Sequence, residues 1–200
     1  MSERNAQPGI RHKLAERLFH WVMAAAVIVL LATALLPILG IRFGWVPIHW
    51  TTGVVLSAAV LFHIFRAVFV NRLADMVPGP TDLREAGRVV LGRPTNDLRP
   101  AKYDAFQKGF HTAAAVTVLA LVATGLTMLY KIDTSFWRRD PAVLSDATWG
   151  YIYVIHGAAS LVLLFLVILH IYFAILPEHR AFLRAMIAGR GPGLARGDKH

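Results

Sequence analysis

The stretch HGAASLVLLFLVILH, residues 156–170, has a histidine at each end and thirteen uncharged residues between them. Its composition suits a helix that crosses a lipid bilayer, which takes about 20 consecutive apolar residues. Fourteen positions along an α-helix leave two side chains about 40° apart in direction and about 21 Å apart along the axis. His156 and His170 are therefore expected to face the same way, each near one side of a membrane.

Three further apolar stretches are long enough to span a bilayer, so the sequence predicts four transmembrane helices. They cover residues 18–39, 48–70, 106–130 and 150–176. Of the 200 residues, 56% are hydrophobic and 16% charged, and the mean hydropathy is +0.52, as in a small membrane protein. We expect an all-α, integral membrane four-helix bundle forming a single domain over residues 1–200. It includes a loop at about 71–105, with a short surface helix capped by Thr81 or Asp82, and a mobile tail at about 190–200.

The basic residues indicate how the bundle is oriented. Four Lys and Arg residues precede the first span, seven fall in residues 71–108 and five follow the last span, against one and three in the other two loops. This asymmetry predicts cytoplasmic termini in a multi-pass protein of the bacterial inner membrane. The net charge of +9 is then a topology signal. Membrane lipids are expected contacts and nucleic acid is not. The chain has no cysteine, which excludes disulfides, iron–sulfur clusters and thiolate zinc sites within it.

Six of the nine histidines lie in or at the edge of the predicted spans, where polar side chains are costly and usually functional. They are His20, His49, His63, His111, His156 and His170. His49 and His63 repeat the separation of fourteen positions. Ligands about 21 Å apart cannot share one metal ion, whereas two haems, each held by two axial imidazoles in a helical bundle, need such an arrangement. Depth places His49 level with His156. Both His20 and His63 lie at the depth of His170, so the residues alone leave that partner open.

Several short motifs resemble a known family. RLFHW (17–21), HWTTG (49–53), KYDAFQK (102–108) and ATGL (123–126), with the two histidines of the fourth span, resemble the gamma subunit of membrane-bound respiratory formate dehydrogenases. That subunit belongs to the wider bacterial cytochrome b561 and Ni–Fe hydrogenase cytochrome b group. The similarity extends from about residue 11 to residue 190.

The resemblance implies two b haems in this chain. It implies axial ligation by His49 with His156 at the periplasmic haem and by His20 with His170 at the cytoplasmic haem. The family has no histidine at the position of His63, which is kept as an alternative ligand. Arg66 matches a family arginine and is a candidate partner of a haem propionate. Two imidazoles fill both axial positions of each iron, so the haems are expected to carry electrons, with no catalytic residue in the chain.

The family also places a quinone site beside the cytoplasmic haem, within the motif that reads KYDAFQK here. The resemblance implies Tyr103, Asp104 and Gln107 as polar groups near the head of ubiquinone or menaquinone, with His111 as a candidate proton carrier. Relatives carry Asn and Gly where this chain has Asp104 and Phe106. The expected partners are a periplasmic molybdenum, tungsten or Ni–Fe catalytic subunit and an iron–sulfur subunit.

Two other functions are compatible with a four-span chain. A stand-alone bacterial cytochrome b561 would oxidise a small donor such as superoxide and reduce quinone. The length of the 71–105 loop and KYDAFQK favour the dehydrogenase subunit. A transporter or scaffold is disfavoured because the histidines keep helical spacing across the bilayer and the spans lack carboxylates. Gly53, Gly125 and Gly157, near the expected ligands, suit either close approach of a porphyrin or helix packing.

Overall fold

Six helices dominate the computed structural model, which describes residues 9–10, 14–69, 79–92 and 105–191. The helices are α1 (Leu14–Leu35), α2 (Trp45–Phe69), α3 (Pro80–Val90), α4 (Ala105–Met128), α5 (Asp146–Ile175) and α6 (Arg180–Ala188). Two short strands, β1 (Gly9–Ile10) and β2 (Arg190–Gly191), pair antiparallel. Helices α1, α2, α4 and α5 are long and apolar enough to cross a membrane. The predicted all-α membrane bundle of four helices is confirmed.

The four spans agree with the predicted ranges to within about four residues at each end. Helix α1 stops at Leu35, before the predicted residue 39. Pro37 disfavours helical backbone in the residue before it, and Gly40 takes a left-handed φ of 86° in the turn that follows. Helix α5 begins earlier than predicted because the Ser145 hydroxyl caps it, accepting the backbone N–H of Thr148 at 3.3 Å.

The long helices pack as two pairs, α1 on α2 and α4 on α5, and α2 against α4 joins the pairs. A small core of Ala26, Leu56 and Val60 lies where α1 and α2 meet, with Val118 and Val122 of α4 against it. Many large apolar side chains point away from the bundle, which suits a helix surrounded by lipid tails. We call the end where α1 begins and α5 finishes the terminal end, and the other the opposite end.

The surface helix α3 is attached to the terminal end by an ion pair. Lys108 Nζ of α4 lies 2.9 Å from Asp82 Oδ1, and these side chains are only 14% and 13% exposed. The Asp82 carboxylate also accepts the backbone N–H of Gly79 at 2.7 Å. That hydrogen bond, followed by the one from Lys108, lowers the pKa of Asp82 below its ordinary value. Helix α3 begins at Pro80, so neither Thr81 nor Asp82 occupies the N-cap position. Asp82 nevertheless caps the helix from its first turn, through the bond that its carboxylate accepts from Gly79.

Helix α6 contacts α1 at the same terminal end. Arg17 Nε donates to the Met186 carbonyl at 3.1 Å, and the other arm of its guanidinium donates to the carbonyl of Ile187. These carbonyls belong to the last turn of α6, which has no helical partners for them. Gly189, with φ of 80°, ends the helix. The chain then enters β2, so Arg190 and Gly191 of the predicted tail pair with β1, and the rest of that tail lies outside the described residues.

Candidate functional site

The histidines come together in pairs at the two ends of α5. At the opposite end, the ring centres of His49 on α2 and His156 on α5 are 6.4 Å apart. At the terminal end, those of His20 on α1 and His170 on α5 are 6.2 Å apart. His63 lies elsewhere within the terminal end. It stacks on Phe19 with ring centres 5.3 Å apart and planes 14° apart, and its ring centre is 6.5 Å from that of His111.

The spacing within the pairs suits one metal ion between two imidazoles. With metal–nitrogen bonds of about 2.1 Å and each nitrogen roughly 1.1 Å from its ring centre, two rings that share an ion have centres about 6 Å apart. No cluster of three or more His, Asp or Glu side chains that could hold a metal is found among the described residues. A haem needs only two axial ligands from the protein, because the porphyrin supplies the others.

A cavity of about 560 Å³ lies beside the opposite-end pair, within the usual 300–1,000 Å³ of cofactor sites. His49 and His156 line it, together with Gly53, Gly125 and Gly157 and mainly apolar side chains. A methyl group added at Gly157 would meet no atom within 4 Å, so this glycine faces open space. One added at Gly125 would lie 3.3 Å from His156 Cε1, so the ring rests against the α4 backbone. These features fit a flat macrocycle.

Both opposite-end imidazoles have a hydroxyl partner. His49 Nδ1 lies 2.8 Å from Thr33 Oγ1 of α1, and His156 Nδ1 lies 2.8 Å from Thr124 Oγ1 of α4. Thr33 is only 4% exposed. Hydrogen bonds at Nδ1 leave the Nε2 atoms for a ligand. Sequence reasoning missed both threonines, although Thr124 lies in ATGL and Thr33 is an isolated hydroxyl in the apolar run LLATALL.

The terminal-end pair is flanked by aromatic rings. Phe110 of α4 stacks near His170, with ring centres 5.9 Å apart and planes 24° apart. Trp21 meets the edge of His20 at 5.2 Å between ring centres. The Trp21 Nε1 group donates to the carbonyl of Met186 at 3.4 Å, so the turn of α1 that carries His20 is attached to α6.

The expected quinone residues are described only in part. Gln107 and His111 lie one turn apart near the start of α4, at the terminal end. Tyr103 and Asp104 lie outside the described residues. Arg66 lies in the last turn of α2, at the same end of the bundle.

Lys131 is another residue that sequence reasoning did not assign to the site. It lines the cavity, and its Nζ lies 4.7 Å from the ring centre of the buried Trp149. The only signal for it in the sequence is a basic residue just after the third span.

Facing histidine pairs inside a bundle of four membrane-spanning helices define a membrane cytochrome b. Residues 11–189 match the model of the prokaryotic cytochrome b561 family, so the chain belongs to that family. The family binds haem b and transfers electrons within membranes. The predicted membership of the cytochrome b561 group, the haem b cofactor and the multi-pass membrane location are thereby confirmed. No curated protein matches the chain.

Proposed function

We propose that this chain is the dihaem, membrane-anchoring subunit that carries electrons across the bacterial inner membrane between a periplasmic, formate dehydrogenase-like enzyme and the quinone pool. One observation carries the proposal: α5 holds two histidines fourteen positions apart, and each faces a second imidazole at the distance expected across one metal ion. A helical rise of about 21 Å between them places one site near each side of the bilayer.

In this proposal His49 and His156 hold the periplasmic haem, and His20 and His170 hold the cytoplasmic one. The ring spacing of 6.2 Å favours His20 over His63 as the partner of His170, because His63 stacks on Phe19 instead. When bound, each haem supplies a one-electron carrier whose axial positions are both filled. The protein's task is then to position the two irons and to exclude other ligands.

The orientation of the bundle in the membrane follows from the charge distribution. The Lys and Arg residues are concentrated in the sequence before α1, between α2 and α4, and after α5, so the positive-inside rule assigns the terminal end to the cytoplasm. The proposed quinone head lies there beside Gln107 and His111, with Tyr103 and Asp104 completing the motif. We propose that His111 passes protons, as membrane imidazoles do in other relays. Proton uptake at this end would add to the proton gradient.

The donor must be another protein or a small molecule. The chain has no cysteine, so any iron–sulfur cluster belongs to a separate subunit. The opposite end, around the α1–α2 and α4–α5 connections, is the proposed docking face for the iron–sulfur subunit and its molybdenum, tungsten or Ni–Fe partner. The family match suits an autonomous cytochrome b561 that oxidises superoxide equally well, so the test must separate these donors.

The first test counts haem in the purified full-length protein with a pyridine haemochrome assay. Two b haems per chain are expected, and one haem or none would overturn the dihaem assignment. Purification from native membranes under mild detergent should retain an iron–sulfur subunit. Recovery of the haem-loaded chain alone, with haems that superoxide reduces directly, would favour the autonomous cytochrome.

The second test follows haem reduction by ubiquinol and menaquinol in stopped-flow experiments. Gln107→Ala and His111→Leu should slow the reduction at unchanged haem content, because the proposal puts both residues beside the quinone head. Thr127→Ala is the matched control, since Thr127 lies at the other end of α4 and its hydroxyl donates only to the Ala123 carbonyl at 2.8 Å. Equal rates of haem reduction in all variants would show that the quinone site does not lie at the start of α4.

A further inference from the structure

Each of the two opposite-end imidazoles contacts a threonine hydroxyl. That threonine lies on a helix that carries neither histidine of the pair. Thr33 on α1 lies 2.8 Å from Nδ1 of His49, and Thr124 on α4 lies 2.8 Å from Nδ1 of His156. The ligands themselves lie on α2 and α5. All four long helices therefore meet at this site, two with rings and two with hydroxyls.

The direction of these hydrogen bonds follows from the other contacts of each hydroxyl. Thr33 Oγ1 lies 2.8 Å from the Val29 carbonyl and 3.0 Å from the Leu30 carbonyl. Thr124 Oγ1 lies 2.6 Å from the carbonyl of Ala120. A hydroxyl has one hydrogen and a carbonyl can only accept, so each threonine donates that hydrogen to its own helix. Its oxygen then accepts from the imidazole.

This direction determines the tautomer of each ring. A neutral imidazole that donates from Nδ1–H keeps its lone pair on Nε2, the atom available to a metal. A partner that accepts from the remote N–H also raises the basicity of a metal-bound imidazole. Here the acceptor is itself a donor to a carbonyl, and such chains of hydrogen bonds strengthen one another.

We propose that Thr33 and Thr124 are positioning residues that hold the axial ligands of the opposite-end haem in the Nδ1–H tautomer and lower the potential of that haem. The inference rests on the proposed ligation by His49 and His156. More basic ligands stabilise ferric over ferrous iron. Thr33 and Thr124 contact the rings of the opposite-end pair, so the effect is expected at that haem only.

Valine tests the proposal because it keeps the branched shape of threonine and removes the hydroxyl. Redox titration of the full-length, haem-loaded protein should show a higher midpoint potential for one haem in Thr33→Val and in Thr124→Val. The double variant should shift that potential further, while the other haem keeps its value. Each tenfold change in the ferric–ferrous equilibrium corresponds to 59 mV for one electron. The ferric EPR signal of the same haem should change, and Thr→Ser at either position should restore both readouts.

Thr117→Val is the matched control. Thr117 is also buried on α4 and donates to its own helix, to the Ala113 carbonyl at 2.8 Å. It should leave both potentials unchanged. A double valine variant that keeps both haems at wild-type potentials would show that the hydroxyls only pack helices, and equal shifts in both haems would also overturn the proposal.

Loss of one haem in the valine variants, with retention in the serine variants, supports the proposal. Loss in the serine variants as well overturns it, because a hydroxyl is then not what the site needs. Failure of the underlying assignment looks different: the wild-type protein would lack haem, or His49→Ala would retain both haems.

Discussion

Alanine substitution of the four proposed ligands should remove haems in a pattern that depends on how they pair. Each single variant, at His20, His49, His156 or His170, should fall from two haems per chain to one. Ring centres 6.4 Å and 6.2 Å apart suit one iron within each pair, so loss of either ring of a pair should remove the same haem. The two α5 ligands lie about 21 Å apart along the helix and cannot serve the same iron.

Double variants show which two histidines share a haem. His49→Ala with His156→Ala should still bind one haem, because both rings serve the same iron. His156→Ala with His170→Ala should bind none. The assay is the pyridine haemochrome, normalised to protein, with low-temperature spectra to identify the remaining haem. A double variant within one pair that loses both haems would refute the pairing.

The matched controls are His63 and His111, two other histidines near the terminal end. His63→Ala and His111→Ala should each retain two haems, because the proposed ligation uses neither ring and His63 stacks on Phe19 with ring centres 5.3 Å apart. Loss of one haem in His63→Ala, with two retained in His20→Ala, would show that His63 and not His20 is the ligand of the cytoplasmic haem.

Two further perturbations test the packing around the sites. Trp149 is 1% exposed and its Nε1 donates to the Pro141 carbonyl at 2.9 Å. Trp149→Phe removes this hydrogen bond, which contributes about 0.5–1.5 kcal/mol, and should lower the thermal midpoint in detergent. The exposed Trp137 donates a similar hydrogen bond to the Leu129 carbonyl at 3.1 Å, and Trp137→Phe should lower the thermal midpoint less. Equal decreases in the two variants would contradict this reasoning. The pKa of Asp82 is lowered by a hydrogen bond from a backbone N–H and by Lys108. The attachment of α3 to α4 should therefore be complete above the ordinary carboxyl pKa of about 4, and it should be lost as the pH falls through the lowered pKa. Hydrogen exchange in α3 should rise in that acidic window, and Asp82→Asn should show the faster exchange already at pH 7; an unchanged rate in Asp82→Asn would show that the ion pair does not hold α3.

The helices were predictable from sequence because bilayer thickness determines their length. Uninterrupted apolar runs of about 20 residues are rare outside membrane spans, so each span was located to within about four residues. The separation between His156 and His170 followed from helical geometry alone. The observed helix ends differ from the predicted ones where turn and capping residues lie. Pro37 and Gly40 end the first helix early, and the Ser145 cap starts the last span before its apolar run begins.

The choice between His20 and His63 could not be made from the residues. Depth along the membrane normal follows from position in a span, but rotation about each helix axis depends on packing between helices. In the structure the ring of His63 stacks on Phe19, next to His20 in sequence, while His20 faces His170. For the same reason the role of Thr33 was hidden, since no local pattern shows which helix its hydroxyl will meet.

Helix α4 explains why the site needs four helices although only three carry proposed ligands. Phe110 and Thr124 lie fourteen positions apart on α4, which is the separation of His156 and His170 on α5. The two helices run antiparallel, so Thr124 meets His156 at the opposite end and Phe110 meets His170 at the terminal end. Each proposed ligand on α5 thus contacts a side chain of α4 in matching register, a hydroxyl at one proposed haem site and an aromatic ring at the other. A shift of α4 by one turn, about 5.4 Å, would separate both contacts at once, which ties the geometry of the two proposed haem sites to a single helix packing.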